Sequence, residues 1–212
     1  MVATRRKPLL LIAVLALTAG TAHAAKVVRL SDPTGSEKGK RAAEMCRQVD
    51  VKSRDDGGLA QLDESLALAE QALAENEDDA KAHFAVFCSL GRRAEMQGAD
   101  LDSLTTLGRL RGALDRAIEI EPSFVDALLA KGRLLARLPW ILGGDAEEGE
   151  HLIRRALDLD PDSTVARLQL AHVLSERGEA AEARRVARDV VARAEKPALR
   201  EEAHVLVASL AD

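Results

Sequence analysis

An amphipathic helical pattern recurs along this chain, and that repetition restricts the possible folds more than any other feature. It occupies SLALAEQALAENEDD (65–79), ALDRAIEIEP (113–122), GDAEEGEHLIRRALDLDP (144–161) and GEAAEARRVARDVVARAEKP (178–197). Each segment has a small residue where it would cross a neighbouring helix, and each ends at acidic residues at or near proline. Another helical segment follows each of the first three. Because one such unit cannot bury its apolar face alone, the pattern predicts an all-α solenoid of about four stacked helix pairs.

The spacing of small residues carries a family resemblance. In the unit ending at Pro161, Gly132, Gly149 and Ala156 stand at positions 8, 20 and 27 of a 34-residue period, with the proline at position 32. The chain resembles tetratricopeptide repeat (TPR) proteins, and in the next unit Ala171 repeats the small residue at position 8. The aromatic residue that the family carries at position 4 is absent, and His83, Leu128 and Arg167 stand there instead.

The segment LPWILGGD (138–145) interrupts the period. Pro122 and Pro161 are 39 residues apart, five more than the period of 34. The extra residues predict an expanded turn between paired helices, and a second enlarged turn is expected at 91–108. Two interpretations of Trp140 stay open: a buried anchor that seals a helix end, which we favour, or a lid that contacts a ligand. The residues of this seal or lid are Pro139, Trp140, Ile141 and Leu142.

A turn of this kind after a lengthened repeat is similar to that of the exported TatT-like TPR proteins, which accompany TRAP-type transporters. This resemblance implies an alternative function, a solute-binding accessory with a transporter component as its partner. Members of that group are usually lipoproteins. No cysteine that could accept a lipid lies near the predicted cleavage site, so we expect no stable membrane anchor.

The N-terminus has the features of an export signal. Three basic residues at 5–7 precede an apolar run from Leu9 to Leu17, and Ala22-His23-Ala24 matches a signal-peptidase site. An uncleaved anchor is the alternative, although the run is shorter than the about 20 residues that span a bilayer. We expect cleavage near Ala24/Ala25 and a periplasmic or secreted protein. The predicted organisation is a signal peptide (1–24), a lead-in with a first helix (25–58), the repeats (59–195) and a capping helix (196–212).

Charge and cysteine content narrow the function further. Without residues 1–24 the chain has 27 basic and 35 acidic side chains, a net charge of −8, and only four aromatic residues. These values argue against nucleic-acid binding. Cys46 and Cys88 are the only cysteines. Export would allow a disulfide between them to persist, but two buried thiols fit the sequence equally.

No catalytic or ligand-binding motif of known spacing is present, so we predict neither an enzyme nor a metal or cofactor site. The resemblance instead implies that the first helices of the pairs line a concave surface that binds a protein or peptide partner. Arg92, Arg133 and Arg137 would form a basic patch there, unless they only pair with carboxylates of neighbouring helices. The concave positions selected are Lys81, Phe84, Arg92, Leu129, Arg133, Arg137, Leu168 and His172.

Overall fold

The computed structural model describes residues 35–53, 55–98 and 104–210, and all regular structure in these ranges is helical. The predicted signal peptide and residues 25–34 lie outside the described residues. The helices are α1 (Glu37–Gln48), α2 (Asp56–Glu75), α3 (Ala80–Gln97), α4 (Leu104–Ile120), α5 (Val125–Arg137), a 3-10 turn (Trp140–Leu142), α6 (Ala146–Leu159), α7 (Thr164–Glu176), α8 (Ala180–Arg193) and α9 (Pro197–Ser209).

Consecutive helices pack as four pairs, α1/α2, α3/α4, α5/α6 and α7/α8, and α9 packs on α8 at the end. Among the first helices of the pairs, α1 also contacts α3 and α5 contacts α7, which in turn contacts α9. This arrangement confirms the predicted all-α, TPR-like solenoid. In α9, Ala203 and Leu206 are buried while Glu201 is exposed, as expected for a cap over the last pair.

Acidic and hydroxyl side chains define where the helices begin. The side chain of Asp79 accepts a hydrogen bond from the backbone N–H of Ala82, and Asp145 does the same for Glu147 and Glu148. Both aspartates therefore start the next helix by satisfying backbone donors that have no partner within it. Similar caps begin α1 at Ser36, α2 at Asp55 and α7 at Ser163.

The first two pairs differ from the sequence-based boundaries. Helix α2 begins at Asp56, three residues before the predicted start of the repeats at 59. The enlarged turn expected at 91–108 is wrong for the described residues, because 91–97 continue α3 and 104–108 belong to α4. The extra residues lengthen the helices, whose apolar faces continue through the buried Met96 and Leu107. Gly98 then ends α3 in the left-handed conformation, with φ of 62°.

The core is continuous from end to end but has two centres. One lies among α1–α4 and reaches Phe124 and Ala127 at the start of α5, and the other lies among α5–α9. Ile118 of α4 packs against both. The two centres are therefore joined at the junction between the second and third pairs.

Candidate functional site

A disulfide between Cys46 and Cys88 joins α1 to α3, with 6.2 Å between the two Cα atoms. The structure thus contains the first of the two alternatives that the sequence left open. Both cysteines are buried. Nearby, the hydroxyl of Ser65 donates to the carbonyl of Ala42 and lies 2.8 Å from the hydroxyl of Ser89. The bond and this hydrogen-bonded chain fix α1, α2 and α3 against one another.

Four of the predicted concave residues are part of the core. Lys81, Phe84 and Leu129 are 8%, 7% and 8% exposed, and Leu168 is fully buried. The ring of Phe84 lies 5.1 Å from that of Phe124, and the ammonium of Lys81 lies 4.8 Å above the Phe124 ring. The prediction that these four side chains contact a partner is therefore wrong, because neighbouring helices already cover them.

Arg92 also has a structural role. Its Nη1 donates to the backbone carbonyl of Val49, 2.6 Å away, at the end of α1. The residue joins α3 to the segment that leaves α1, and its guanidinium is engaged there. The positive charge of Arg92 nevertheless still acts on Arg133.

Arg133, Arg137 and His172 do come together, in a small cleft of about 130 Å³ between α5, α7 and α9. Arg133 and Arg137 project from one face of α5 at i, i+4 spacing and are both exposed. Neither forms a hydrogen bond or an ion pair with any described residue. The cleft, called the groove below, is lined by Arg133, Arg137, Gln169, His172, Val173, Glu176 and Glu202.

The groove has a positive side and a negative side. Although Arg133 is exposed overall, partial desolvation lowers its pKa below the ordinary value, and the positive charge of Arg137 adds to this effect. Opposite them, Nε2 of His172 lies 3.0 Å from Oε1 of Glu202. A ligand carboxylate between the two guanidinium groups would relieve their repulsion and accept several hydrogen bonds.

The expanded turn before α6 is confirmed and is held by backbone hydrogen bonds. The N–H of Gly144 donates to the carbonyl of Pro139 at 2.9 Å, and that of Asp145 donates to Leu135 at 2.9 Å. Gly143 adopts a φ of 77°, which glycine tolerates best, and its carbonyl accepts a hydrogen bond from Arg111. These hydrogen bonds therefore fix the backbone conformation of the turn.

The predicted burial of Trp140 is wrong. Trp140 is 85% exposed and Ile141 is 74% exposed, whereas Leu142 is half-buried. Successive side chains of a 3-10 turn point about 120° apart, so only one of the three can face the protein. Leu142 takes that place. Trp140 therefore does not seal a helix end, and at this exposure it does not roof a closed cavity either.

Comparisons with known proteins agree with this architecture. A tetratricopeptide repeat family model matches residues 141–209, about a third of the chain. Over these residues the chain matches tetratricopeptide repeats. No curated protein matches it. TPR proteins are generally non-catalytic scaffolds that bind proteins or peptides. Over the described ranges, no helix is long and apolar enough to cross a bilayer, and no group of His, Cys, Asp and Glu is suited to hold a metal ion.

Solved TPR structures align with most of the chain, at low sequence identity and with TM-scores below 0.5. A thermophilic TPR protein of Thermus thermophilus is 19% identical, with a TM-score of 0.46, over 81% of this chain and 98% of the other. YrrB, described as a TPR protein with an unusual peptide-binding site, is 14% identical, with a TM-score of 0.39, over 77% and 99% of the two chains.

Proposed function

We propose that this TPR protein is an exported, non-catalytic scaffold whose groove binds an acidic segment of a protein partner. The observation that carries the proposal is the pair Arg133 and Arg137, two exposed guanidinium groups one helical turn apart that form no hydrogen bond or ion pair with a described residue, although the carboxylates of Glu202 and Glu95 attract Arg133. Arginine pairs of this kind bind carboxylates with several charge-assisted hydrogen bonds.

The other side of the groove adds selectivity. Glu176 and Glu202 line the same cleft as the two arginines. A partner segment with a carboxylate beside a donor or a basic group would match both sides, whereas a uniformly acidic segment would meet repulsion at Glu176 and Glu202. Such matching of charges affects specificity and association rate more than it affects raw affinity.

Export is the second part of the proposal. It is supported by the signal-like residues 1–24 and by the Cys46–Cys88 disulfide, since such bonds persist mainly in oxidising compartments. N-terminal sequencing of the protein purified from its native cell should give Ala25 or a neighbouring residue. Recovery of a membrane-bound form that retains Met1 would contradict export with cleavage.

Charge reversal tests the groove. The double variant Arg133→Glu/Arg137→Glu should lose a partner that the unaltered protein captures from periplasmic extract and that mass spectrometry identifies. Helicity by circular dichroism should not change, because both side chains are exposed. The matched control is Arg41→Glu/Lys52→Glu, which makes the same charge change at two exposed residues that line neither cleft. Capture that survives the α5 reversal at low and moderate salt would show that the arginines are only solvated.

A photo-cross-linking residue at Gln169, which lines the groove, gives a positive readout of the same contact. The partner should cross-link at this position, and the attached peptide should contain acidic residues. A cross-linked peptide without any carboxylate would contradict the proposed chemistry while leaving the scaffold function in place.

A further inference from the structure

A second and larger cleft lies among α6, α7 and α8, with a volume of about 590 Å³. Four arginines line it, but Asp189 is the only carboxylate among its lining residues. The protein as a whole is acidic, so this excess of positive charge is a local reversal. The lining arginines are Arg167, Arg185, Arg188 and Arg193, and we call this feature the arginine cleft.

The arginine cleft and the groove lie on opposite faces of α7. Arg167 and Leu170 of this helix line the arginine cleft, whereas His172 and Glu176 line the groove. Residues of an α-helix are about 100° apart around its axis, which places the two sets on opposing sides. A ligand in the arginine cleft therefore would not occupy the groove between α5, α7 and α9.

Two of the four arginines are already engaged. Nε of Arg167 lies 3.1 Å from one carboxylate oxygen of Asp189, and Nε of Arg193 lies 2.8 Å from the other. One carboxylate thus serves two guanidinium groups. Because both carboxylate oxygens of Asp189 are in these contacts, Asp189 has little capacity to neutralise a third guanidinium group.

The other two arginines are available to a ligand. Arg188 is exposed and makes no hydrogen bond or ion pair with the part of the chain that the structure describes. Arg185 has only a 3.4 Å contact with Glu182, and its side chain is 74% exposed. The two lie at i, i+3 on α8, so their Cβ atoms are about 5–6 Å apart. Together they can donate hydrogen bonds to two carboxylates of one bound peptide segment.

The floor of the arginine cleft is apolar. Leu157, Leu170 and Val186 line it beside the guanidinium groups; Leu157 is half-buried, whereas Leu170 and Val186 are only 4% and 7% exposed. A small inorganic anion would use the charge but make no contact with Leu157, the apolar side chain of the cleft that is still partly exposed. A volume of 590 Å³ falls within the about 300–1,000 Å³ of ligand-binding clefts, enough for a few side chains.

We propose that the arginine cleft is a second docking site, separate from the groove, for an acidic and amphipathic peptide segment of a partner protein. Its carboxylates pair with Arg185 and Arg188, and an aliphatic side chain between them contacts Leu157, which is half-buried. The negative charge elsewhere on the protein repels such a segment and directs it to this positive surface. A TPR scaffold with both sites can hold two partner segments at once.

The test uses a fluorescein-labelled peptide of alternating glutamate and leucine, with fluorescence anisotropy as the measurement. Arg185→Glu/Arg188→Glu should weaken its binding at least tenfold. Arg41→Glu/Lys52→Glu, a reversal of two exposed charges outside both clefts, is the matched control and should leave the Kd within twofold. Arg185→Lys/Arg188→Lys keeps the charge and should retain most of the affinity. A peptide with glutamine in place of glutamate should bind at least tenfold more weakly.

Three outcomes would overturn the proposal: equal Kd values for the unaltered protein and the α8 reversal, equal loss from both reversals, or binding of the glutamine peptide as tight as that of the glutamate peptide. Vesicles with anionic lipid that bind through Arg185 and Arg188, without peptide binding, would assign the cleft to a membrane surface instead. If circular dichroism shows that the charge reversal disturbs folding, the variant Arg188→Gln is used instead. It should weaken binding of the peptide at least threefold. Failure of the groove proposal would not affect these results, because the groove is tested by partner capture with the α5 variant, whereas the arginine cleft is tested by peptide binding with the α8 variant.

Discussion

The backbones of Gly132 and Gly149 touch where α5 crosses α6. A Cβ atom on Gly132 would lie 2.7 Å from the carbonyl oxygen of Gly149, and one on Gly149 would lie 2.6 Å from that of Gly132. Both distances are too short for any side chain. These two glycines therefore set the separation of the third helix pair.

This contact predicts that Gly132→Leu lowers the free energy of unfolding by about 3 kcal/mol or more, at or above the upper end for overpacking, because backbone must move. Chemical denaturation followed by circular dichroism gives the value. Gly112→Ala is the control, since its Cβ would meet nothing within 4 Å in the middle of α4. It should stabilise the protein by about 0.5–1 kcal/mol. Equal behaviour of the two variants would contradict the close crossing.

Ala171→Leu tests the corresponding position in the fourth pair. Ala171 is fully buried on α7, so a larger side chain must displace its neighbours. We expect a loss of about 1–3 kcal/mol in unfolding free energy. A substitution of the same size at Ala192, an exposed residue of α8, should change stability by less than about 0.5 kcal/mol. An unchanged melting temperature for Ala171→Leu would show that the repeat register is wrong.

Trp140→Ala should have little effect on stability, because the indole is 85% exposed. The expected change in unfolding free energy is below about 0.5 kcal/mol. As Trp140 is the only tryptophan, the intrinsic fluorescence should be red-shifted and readily quenched by acrylamide. Phe124→Ala, at a core position, should cost about 3–5 kcal/mol by comparison. A blue-shifted emission that resists quenching would contradict the exposed turn.

Loss of the disulfide should destabilise the first two helix pairs. Cys46 and Cys88 are 42 residues apart, and the loop-entropy relation gives a loss of about 4 kcal/mol when a loop of this length is opened. Denaturation of the oxidised protein and of Cys46→Ala/Cys88→Ala measures the difference. Reductant should lower the stability of the unaltered protein but not that of the double variant. An effect of reductant on both would indicate a cause other than this bond.

The buried carboxylate of Asp79 predicts another large effect. It accepts hydrogen bonds from the backbone N–H and hydroxyl of Ser36, at 2.8 and 2.6 Å, and from the N–H of Ala82 at 2.9 Å. Asp79→Ala removes all three, so we expect a loss of about 2 kcal/mol or more. Asp145→Ala, at an exposed cap, should cost about 1 kcal/mol. Similar losses for both would contradict the link between α1 and α3.

The sequence correctly predicted the features that the repeat period determines. The prediction failed where two different structures are compatible with the same number of residues. Gly132 and the turn after Arg137 could be placed because a fixed period assigns each residue a position. The lengthened second unit could not, since longer helices and a longer turn separate its ends by the same number of residues. Trp140 was assigned to the interior from its size alone, yet its neighbour Leu142 fills the single inward position. The arginine cleft draws residues from three helices, which no local pattern reveals.

The Cys46–Cys88 bond also limits how far this chain can extend under a mechanical load. Cys46 and Cys88 are 42 positions apart in the sequence, and the segment that joins them would add about 140–150 Å of contour length if it were extended. In the oxidised protein this length is hidden, because tension passes from α1 directly into the second half of α3. A load that pulls the later repeats apart therefore leaves the loop between the cysteines at its compact length. The scaffold has an inextensible segment at one end and extensible repeats at the other.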